Sequence, residues 1–413
     1  MKVLVIGSGG REHAIIDKLS ESSLVDKIYA APGNDGMAKK AELVAISDTD
    51  VEALVKFALE KNIDLTVVGP EVSLAAGVVD AFKAKGLKIF GPDKKAARIE
   101  SSKEYAKELM KKYHIPTADF QSFSSYEEAW NYVQEKGAPI VIKYDGLAAG
   151  KGVVVAMSLK EAKKALKDML VDDKYGKDKV VIEEYLEGPE FSFLCFVDGK
   201  NVYPLELSQD HKRAFDDDEG PNTGGMGAYS PLPFITKEDR EEALEKIMKP
   251  TAAALVDDDS SFTGVLYGGL MKTKDGIKVI EFNCRFGDPE TEVVLPRLES
   301  DLFVAFNKVI DHEDPELVWD NQVCLGVVLA SEGYPGSYEK MHAINGLEKV
   351  TGKVYAMGVK IVDGQTYNNG GRVLIIVEKA DTVAKAREKA LDDIKKIESD
   401  NLFYRSDIGH WAL

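Results

Sequence analysis

Strand and helix signals alternate along the first hundred residues of this chain. Four short apolar runs rich in β-branched residues predict strands at residues 2–6, 27–31, 63–68 and 87–90. Between the second and third runs, apolar residues recur at helical spacing at Val51, Leu54, Val55, Ala58 and Leu59. Thr49 and Glu52 predict a capping box at the start of this helix. Because strands that alternate with amphipathic helices form parallel sheets covered on both faces, the pattern predicts a doubly wound α/β domain over residues 1–100.

Each of these runs ends in a turn that contains glycine. The turns are Gly7-Ser8-Gly9-Gly10-Arg11-Glu12, Pro32-Gly33-Asn34, Gly69-Pro70-Glu71 and Gly91-Pro92. For any one turn, simple punctuation of the chain is an equally good interpretation. Four in succession favour a binding edge, because open α/β sheets bind ligands at the carboxyl ends of their strands. Glycine amides at a helix start, together with Arg11, suit a phosphate.

The pattern changes near residue 100 and again near residue 325. Hairpins dominate the middle of the chain, with paired runs at 139–144 and 153–156, 190–197 and 201–207, and 264–272 and 277–283. Beyond residue 325, two strand-like runs lead into a final helix near residues 382–397. We therefore expect three units, over residues 1–100, 101–325 and 326–413.

The sharpest motif is the glycine-rich turn that runs from Lys143 to Gly152. Its three glycines allow backbone amides to close over an anion, and Lys143 and Lys151 add positive charge. It is not a Walker loop, because Gly-Lys-Ser/Thr is missing and a strand follows. An exposed turn with solvated lysines is the simpler alternative. It is disfavoured because Lys143 ends an apolar strand, where an unpaired cation is costly.

A second motif extends from Glu281 to Glu290. On a strand, Glu281 and Asn283 lie on one face and offer two oxygen ligands of the kind that Mg²⁺ prefers. Arg285 shares that face and could hold a carboxylate. A solvated strand face is the alternative interpretation. Cys284 points the other way, which favours a buried small side chain over a nucleophile.

A third motif joins the charged run 209–213 to the glycine-rich run 220–227. This composition is typical of a loop that closes over a substrate and brings hydrogen-bond donors with it. His211 invites interpretation as a general base. With no partner nearby in the sequence, a structural or surface role is the better hypothesis.

Charge and cysteine content exclude several classes of protein. The formal net charge of -17 disfavours binding to nucleic acids, although a small anion needs only a local cluster of donors. Three scattered cysteines, Cys195, Cys284 and Cys324, indicate a reducing compartment. No apolar run reaches the length of a signal peptide core or a membrane span. We expect a cytoplasmic protein without a nucleic-acid or membrane partner.

The three motifs, in this order, resemble those of the ATP-grasp superfamily. With residues 7–14, residues 220–231 and the C-terminal run 405–409, the chain resembles the phosphoribosylamine–glycine ligase family over essentially its whole length. The resemblance implies a monomeric ligase of purine biosynthesis that joins glycine to 5-phosphoribosylamine through a glycyl phosphate and converts ATP to ADP and phosphate. It also implies a two-part ATP-grasp domain over residues 101–325, with a lid at 120–187, and a small C-terminal α/β domain.

The same resemblance implies roles for individual residues. Around ATP it places Lys103, Lys143, Gly146, Gly150, Lys151 and Gly152 at the phosphates, Glu183, Glu184, Tyr185 and Leu186 beside the adenine, and Glu190 near the ribose. It makes Glu281 and Asn283 the ligands of Mg²⁺ or Mn²⁺. Around the other substrates it places Gly9, Gly10, Arg11, Glu12, Asn34, Asp210, Lys212, Arg285, Gly371 and Arg372. Lys143, Asp210 and Arg285 would be catalytic.

Two positions depart from the family pattern. Asp217 stands where glycine is expected, and Glu292 stands where glutamine is usual. Neither removes an expected ligand. The first puts the flexibility of its loop in doubt, and the second lies close to the expected metal ligands.

Three other functions compete with this one. A nicotinamide-dependent dehydrogenase is weakened by Glu12, which occupies a position where the dinucleotide fingerprint has glycine or alanine. A nucleotide-binding sensor has no reason to keep Glu281 and Asn283 beside Arg285. A related ATP-grasp carboxylase or ligase is the strongest alternative. Such an enzyme would release ADP when bicarbonate or a different acid is supplied as the substrate.

Overall fold

A computed structural model describes residues 1–147, 152–172, 174, 176 and 179–413. None of the helices in these ranges has the length and apolarity that crossing a bilayer requires. The predicted mixed α/β architecture is confirmed. Gly150 and Lys151, which the resemblance places at the ATP phosphates, lie outside the described ranges.

The N-terminal unit is a parallel five-stranded sheet with strand order β3-β2-β1-β4-β5. The strands are β1 (Lys2–Gly7), β2 (Lys27–Pro32), β3 (Glu42–Leu43), β4 (Leu65–Val68) and β5 (Ile89–Phe90), and the helices are α1 (Gly10–Leu19), α2 (Val51–Lys61), α3 (Glu71–Ala75) and α4 (Val78–Ala84). The central strands are buried on both faces, as their continuous apolar runs predict. The predicted capping box at Thr49 is wrong. Asp50 caps α2 instead, because its side chain accepts a hydrogen bond from the amide of Ala53.

Two antiparallel sheets follow. The first, with order β6-β9-β7-β8, has its own apolar core beneath two helices. Its elements, with the helices that precede it, are α5 (Arg98–Ser101), α6 (Lys103–Lys112), β6 (Phe120–Phe123), α7 (Tyr126–Lys136), β7 (Ile140–Tyr144), β8 (Val153–Ala156), α8 (Leu159–Leu170) and β9 (Val180–Glu184). The second has order β11-β10-β16-β17, with β10 (Glu190–Asp198), β11 (Asn201–Pro204), β16 (Thr263–Thr273) and β17 (Gly276–Asn283).

The long polar segment after β11 is not an irregular loop. It forms β12 (Gln209–Asp210), β13 (Arg213–Phe215), β14 (Glu219–Asn222) and β15 (Gly227–Ser230). β12 and β15 extend the C-terminal sheet, in which β15 pairs with β18 (Val323–Ser331). The segment therefore links the middle of the chain to the C-terminal unit. Four helices complete the middle of the chain, α9 (Lys237–Ala243), α10 (Lys249–Asp257), α11 (Thr291–Val294) and α12 (Leu302–Ile310).

The C-terminal sheet has order β12-β15-β18-β23-β20, with β24 paired to β18 as well. Its own elements are β18 (Val323–Ser331), β19 (Ala343–Ile344), β20 (Lys353–Ala356), β21 (Val359–Val362), β22 (Gln365–Asn368), β23 (Arg372–Ala380), α13 (Val383–Ile394) and β24 (Leu402–Phe403). This unit packs on the N-terminal one through Asp17, which accepts hydrogen bonds from Lys353 (2.6 Å) and Tyr355 (3.1 Å). The contact brings the loop before β21 against the carboxyl edge of the parallel sheet.

Candidate active site

The turn after β1 is closed by the side chain of Glu12. Its carboxylate accepts a hydrogen bond from the amide of Gly9 (2.6 Å) and pairs with Nε of Arg11 (2.5 Å). A Cβ on Gly69 would lie 1.9 Å from Oε1 of Glu12, and one on Gly7, where φ is +123°, would lie 2.6 Å from its Cδ. Both positions therefore require glycine. Glu12 is thus a residue that shapes the loop, and it is almost completely buried.

Arg11 connects this turn to the segment that follows β17. Its Nη1 donates to the carbonyl of Phe286 (3.0 Å), and its amide donates to Oδ2 of Asp288 (3.2 Å). The N-terminal turn and residues 284–290 are consequently held together across the two units.

A cavity of about 370 Å³ opens between the N-terminal and C-terminal units. Its lining includes Gly9, Asn34, Asp288, Tyr334, Gly371 and Arg372. Asn34 is fixed at its edge, because its amide donates to the carbonyls of Ser8 (2.7 Å) and Ala356 (3.0 Å). Three of the predicted substrate-binding segments therefore meet around one space, although Gly371 and Arg372 lie more than 300 residues after Gly9 and Asn34 in the sequence.

Arg372 is the positive group of this cavity. Its Nη1 lies 3.0 Å from Oδ1 of Asp288 and donates to the carbonyl of Gly224 (3.0 Å). The hydroxyl of Tyr334 accepts from the amide of Gly224 (3.0 Å). The cavity wall thus joins the glycine-rich segment after β14 to the C-terminal unit.

Lys143 lies in a buried group of three charges. Its Nζ donates to the carbonyl of Ile280 (2.7 Å) and lies 2.9 Å from Oε1 of Glu183, and Oε2 of Glu183 lies 2.8 Å from Nζ of Lys107. The three side chains are only 3–4% exposed. The expectation that a cation at this strand end needs a partner is met by Glu183. Lys107 was not identified from the sequence.

Lys103 stands at the start of α6, opposite the turn after β7. Its Nζ donates to the carbonyl of Gly146 (2.9 Å), and its amide donates to Oδ1 of Asp145 (2.6 Å). Burial lowers the pKa of Lys103. Gly152 is buried and its carbonyl accepts from the amide of Tyr144 (2.8 Å).

Glu281 is surrounded by cations. Burial acts to raise its pKa, but Lys212, Lys143 and Lys103 together hold the pKa below its ordinary value, so the carboxylate is ionised. Neither Glu281 nor Asn283 forms a side-chain hydrogen bond to another described residue. A carboxylate and an amide oxygen on one strand are a fitting donor pair for Mg²⁺, whose remaining ligands are usually water and substrate phosphates. Within the described ranges, no three acidic, histidine or cysteine side chains cluster as a metal cage.

Asp210, at the end of β12, and Lys212, in the connection to β13, both interact electrostatically with Glu281. Burial raises the pKa of Asp210 to about 7, with Lys212 acting in the opposite direction. Asp210 in turn raises the pKa of Lys212 well above its ordinary value. Nζ of Lys212 also lies 3.3 Å from Oε2 of Glu190, at the start of β10. The structure thus brings these three predicted residues to the same cluster as Glu281.

Arg285 is held between two carboxylates that the sequence interpretation did not identify. Nη2 lies 2.8 Å from Oε1 of Glu100, and Nε lies 3.3 Å from Oε2 of Glu71. The other oxygen of Glu100 accepts from the amide (2.8 Å) and Sγ (3.3 Å) of Cys284. Burial raises the pKa of the Cys284 thiol, which makes it a poor nucleophile. Glu71 belongs to the strand-end turn Gly69-Pro70-Glu71, so its position at the predicted binding edge is the sequence feature that could have identified it.

The segment expected beside the adenine, residues 183–186, begins in the last two residues of β9 and continues into the connection to β10. Glu184 is exposed, and its amide donates to the carbonyl of Asp119 (2.8 Å). Tyr185 and Leu186 are half-buried in the connection to β10. They join the antiparallel sheet of β6–β9 to the sheet that carries Glu281.

His211 is buried rather than on the surface. Its Nε2 accepts from the amide of Gly409 (3.1 Å), and its ring packs 5.4 Å from that of His410. Burial lowers the pKa of His211 to about 3, so the ring is neutral. These contacts fit a structural role between the flanking Asp210 and Lys212.

The C-terminal segment 405–410, which we call the C-terminal hook, holds the acidic run that follows His211. Arg405 is fully buried and donates to the carbonyl of Arg213 (3.1 Å), to Asp218 (3.0 Å) and to Asp407 (2.7 and 2.8 Å). Ser406 donates from its amide to Asp216 (2.8 Å). The acids of this run are therefore structural partners of the hook.

Both departures from the family pattern have a local explanation. Asp217 has φ of +59°, a left-handed conformation in which glycine is unstrained and aspartate is tolerated. The carboxyl of Glu292 is buried without a hydrogen-bond partner among the described residues. Burial, reinforced by Asp288, raises its pKa well above the ordinary value. The group is therefore a neutral acid, similar in shape and charge to the amide of glutamine.

Comparison with known proteins gives the same picture along the whole chain. Three family models match, the phosphoribosylglycinamide synthetase N domain at residues 1–100, its ATP-grasp (A) domain at 101–291 and its C domain at 324–411. The phosphoribosylamine–glycine ligase of Halalkalibacterium halodurans is 55% identical, with 100% of this chain and 97% of the relative covered. That of Lactococcus lactis is 51% identical with 100% of both covered.

Solved structures of related proteins show the same fold over nearly the whole chain. The crystal structure of the phosphoribosylamine–glycine ligase from Thermotoga maritima superposes with a TM-score of 0.87 at 33% identity, covering 99% of this chain and 100% of the other. A biotin carboxylase from Campylobacter jejuni shares the fold with a TM-score of 0.74 at 16% identity, covering 98% of this chain and 92% of the other. The chain therefore belongs to the phosphoribosylamine–glycine ligase family of ATP-grasp enzymes.

Proposed function

We propose that this protein joins glycine to 5-phosphoribosylamine, with conversion of ATP to ADP and phosphate, as a step of purine biosynthesis. Family membership at 51% and 55% identity over the full length supports the choice of substrates. The observation that carries the proposal is the convergence of Lys103, Lys143 and Lys212 on Glu281. The segment that begins there continues to Asp288 in the cavity wall, so a polyphosphate site and a small-substrate site adjoin.

On this proposal the nucleotide occupies the cluster around Glu281. Lys103 and Lys143 contact the phosphates, and the turn containing Gly146, Gly150, Lys151 and Gly152 covers them. Glu183, Glu184, Tyr185 and Leu186 lie beside the adenine, and Glu190 lies near the ribose. Glu281 and Asn283 would hold Mg²⁺ or Mn²⁺, which would neutralise phosphate oxygens.

The cavity between the N-terminal and C-terminal units is the proposed site of phosphoribosylamine. Gly9 and Asn34 line one side, and Gly371 and Arg372 line the other. Gly10, Arg11 and Glu12 continue the loop behind Gly9, and we propose that they support this side of the site. A volume of about 370 Å³ suits a small sugar phosphate. Asp210, Lys212 and Arg285 stand between this cavity and the nucleotide, where glycine must meet both reactants.

The reaction needs no nucleophilic side chain. A carboxylate oxygen of glycine attacks the γ-phosphorus, and the bond between that phosphorus and ADP breaks. The amine of phosphoribosylamine then attacks the acyl carbon and loses a proton, and the glycine oxygen leaves within inorganic phosphate. The residues of the chain contribute by holding the reactants in line and by placing positive charge at the phosphates.

Oxygen transfer tests this route. Glycine labelled with heavy oxygen in its carboxylate should pass one label to inorganic phosphate per turnover, with ADP as the nucleotide product. Mass spectrometry of the released phosphate measures the label. Unlabelled phosphate together with AMP would contradict the proposal, because it would indicate attack at the α-phosphorus and an adenylate.

A sister ATP-grasp enzyme with another acid is the second candidate, since biotin carboxylases share the fold. A panel of acids and amines in a coupled ADP assay separates the two. Release of ADP that requires glycine and the amine together supports the ligase, and release with bicarbonate alone supports a carboxylase. We further propose that the protein is a cytoplasmic monomer, divided at residues 100 and 325, in which residues 120–187 move as a lid.

A further inference from the structure

Lys107 does not line the cavity between the N-terminal and C-terminal units. It is nevertheless among the most deeply buried cations of the described chain. It projects from α6, is 2% exposed, and has two polar contacts. Its Nζ lies 2.8 Å from Oε2 of Glu183 and donates to the hydroxyl of Thr117 (2.8 Å). That hydroxyl donates in turn to the carbonyl of Val279 (2.7 Å). Lys107 is therefore fixed in position by three separate parts of the chain.

Glu183 divides its carboxylate between two lysines. One oxygen faces Lys107 and the other faces Nζ of Lys143 at 2.9 Å. The three charges sum to one positive charge, in a place where all three side chains are only 3–4% exposed. With both lysines present, these three side chains carry one positive charge in excess, which acts on the nearby Glu281 together with Lys103 and Lys212. With Lys143 alone, the group would be neutral.

Of the two lysines, Lys143 is the one that the proposed function places at the nucleotide phosphates, so the excess positive charge can act there. Among the described residues its Nζ donates one hydrogen bond, to the carbonyl of Ile280, and Oε1 of Glu183 lies 2.9 Å away as an ion pair without hydrogen-bond geometry. The ammonium group therefore keeps donors that a phosphate oxygen can accept from. Lys107 itself is enclosed by α6, β9 and the ring of Phe120, whose centroid lies 5.9 Å from Nζ, so it does not reach the nucleotide site.

We propose that Lys107 is a positioning residue that neutralises Glu183 and so leaves the charge of Lys143 available to the nucleotide phosphates. The inference rests on the proposed function, which places Lys143 beside ATP. Burial lowers the pKa of Lys107 to about 8, with Glu183 acting in the opposite direction, so the ammonium form dominates at neutral pH. A purely structural ion pair, which ties α6 to the sheet of β9, is the competing explanation.

Charge rescue separates these explanations. Binding of ADP with Mg²⁺ to the full-length protein is measured by calorimetry for Lys107→Met and for Lys107→Met combined with Glu183→Gln. The single variant should bind ADP about tenfold more weakly, because the whole charge of Glu183 then falls on Lys143. The double variant is compared with Glu183→Gln alone, because the proposed function places Glu183 beside the adenine. Adding Lys107→Met to Glu183→Gln should cost little further affinity, because Lys143 then faces a neutral amide. In steady-state assays, the single variant should raise KM for ATP more than it lowers kcat.

A matched control comes from the same helix. Lys111 is exposed one turn further on, so Lys111→Met removes an equal charge without touching Glu183 and should leave ADP affinity unchanged. If Lys107→Met fails to fold, Lys107→Gln keeps a hydrogen-bond donor without the charge and has the same expected effect. Wild-type affinity in a folded Lys107 variant would overturn the inference. So would a double variant that binds ADP about tenfold more weakly than Glu183→Gln alone.

Lys143→Met distinguishes a failure of this inference from a failure of the proposed function. Weak ADP binding by Lys143→Met with normal binding by Lys107→Met would remove only the positioning role. Normal ADP binding by folded Lys143→Met would remove Lys143 from the nucleotide site, and the proposed function would lose its nucleotide placement as well as this inference.

Discussion

The attachment of the C-terminal hook to the acidic run is the interaction whose loss we predict in most detail. Arg405→Met keeps the length of the side chain and removes a guanidinium that is fully buried. Four hydrogen bonds are lost, to the carbonyl of Arg213, to Asp218 and twice to Asp407. The side chain of Asp407 is 16% exposed and that of Asp218 is 37% exposed.

These exposures set the magnitude of the effect. Removing one partner of a fully buried ion pair destabilises a protein by about 3–5 kcal/mol, because the remaining charge stays desolvated. Water reaches Asp218 and, to a smaller degree, Asp407, so part of this penalty is relieved. We therefore expect the run 213–218 to be less stable by about 2–3 kcal/mol. Ser406 still holds Asp216, so the hook should stay in place for most of the time.

Hydrogen exchange followed by mass spectrometry measures this local opening. A loss of about 2–3 kcal/mol corresponds to exchange that is roughly 30–150 times faster in residues 211–218, with the N-terminal sheet unchanged. Arg213→Met is the matched control. It removes an equal charge from the same run, but Arg213 is exposed and its side chain has one hydrogen bond, to Gly220, so the effect should stay within about 0.5 kcal/mol. Unchanged exchange in Arg405→Met would refute the reasoning.

Three further changes have defined outcomes. The pKa of His211 is about 3 when folded, below its unfolded value, so the unfolded chain binds a proton that the folded one does not as pH falls from about 6.5 to 3. Stability should decrease by about 1.4 kcal/mol per pH unit in this window, and urea unfolding of His211→Gln should show a flatter profile. Cys284→Ala removes a thiol that donates a hydrogen bond to Glu100, so the free energy of unfolding should fall by about 1 kcal/mol while ligase activity is kept. A stable variant without activity would instead indicate that the thiol takes part in catalysis. Glu281→Gln should raise the Mg²⁺ concentration for half-maximal activity at least about tenfold, and an unchanged Mg²⁺ titration would exclude Glu281 as a ligand.

The elements that the sequence predicts well are those whose signal is local. The strands of the parallel sheet appear as uninterrupted apolar runs, and the predicted hairpins at β7–β8, β10–β11 and β16–β17 are present. The errors in the predicted strands also have local causes. The strand predicted at 63–68 begins at Leu65, because Asn62 ends α2 in the left-handed conformation and two residues are needed to reach the sheet. β3 was missed because two residues carry too little pattern.

The partners of the buried charges could not be predicted in the same way. The strand pattern indicates that Lys143 is buried and needs an anion, but Glu183 is only one of many acids in the chain. Arg285 meets Glu71 and Glu100, which precede it by more than 180 residues. Such pairs depend on how separate sheets are packed, and the period of side chains along one element carries no information about this. The resemblance to a known family implied roles for candidate residues, but it did not pair Lys143 with Glu183 or Arg285 with Glu71 and Glu100.

An acidic protein can still bind a polyanion, and the distribution of charge in this chain explains how. The net charge of -17 comes from 70 acidic and 53 basic residues, many of which face solvent. At physiological ionic strength, the field of an exposed charge decays over about 8 Å, so distant surface acids contribute little at the site. Buried charges are screened far less. Lys103, Lys143 and Lys212 act on Glu281 from within the protein, and Lys107 offsets the nearby charge of Glu183. On the proposed placement of the nucleotide, these few buried groups set the potential at its phosphates. We therefore expect ADP affinity to depend much more on their substitution than on salt.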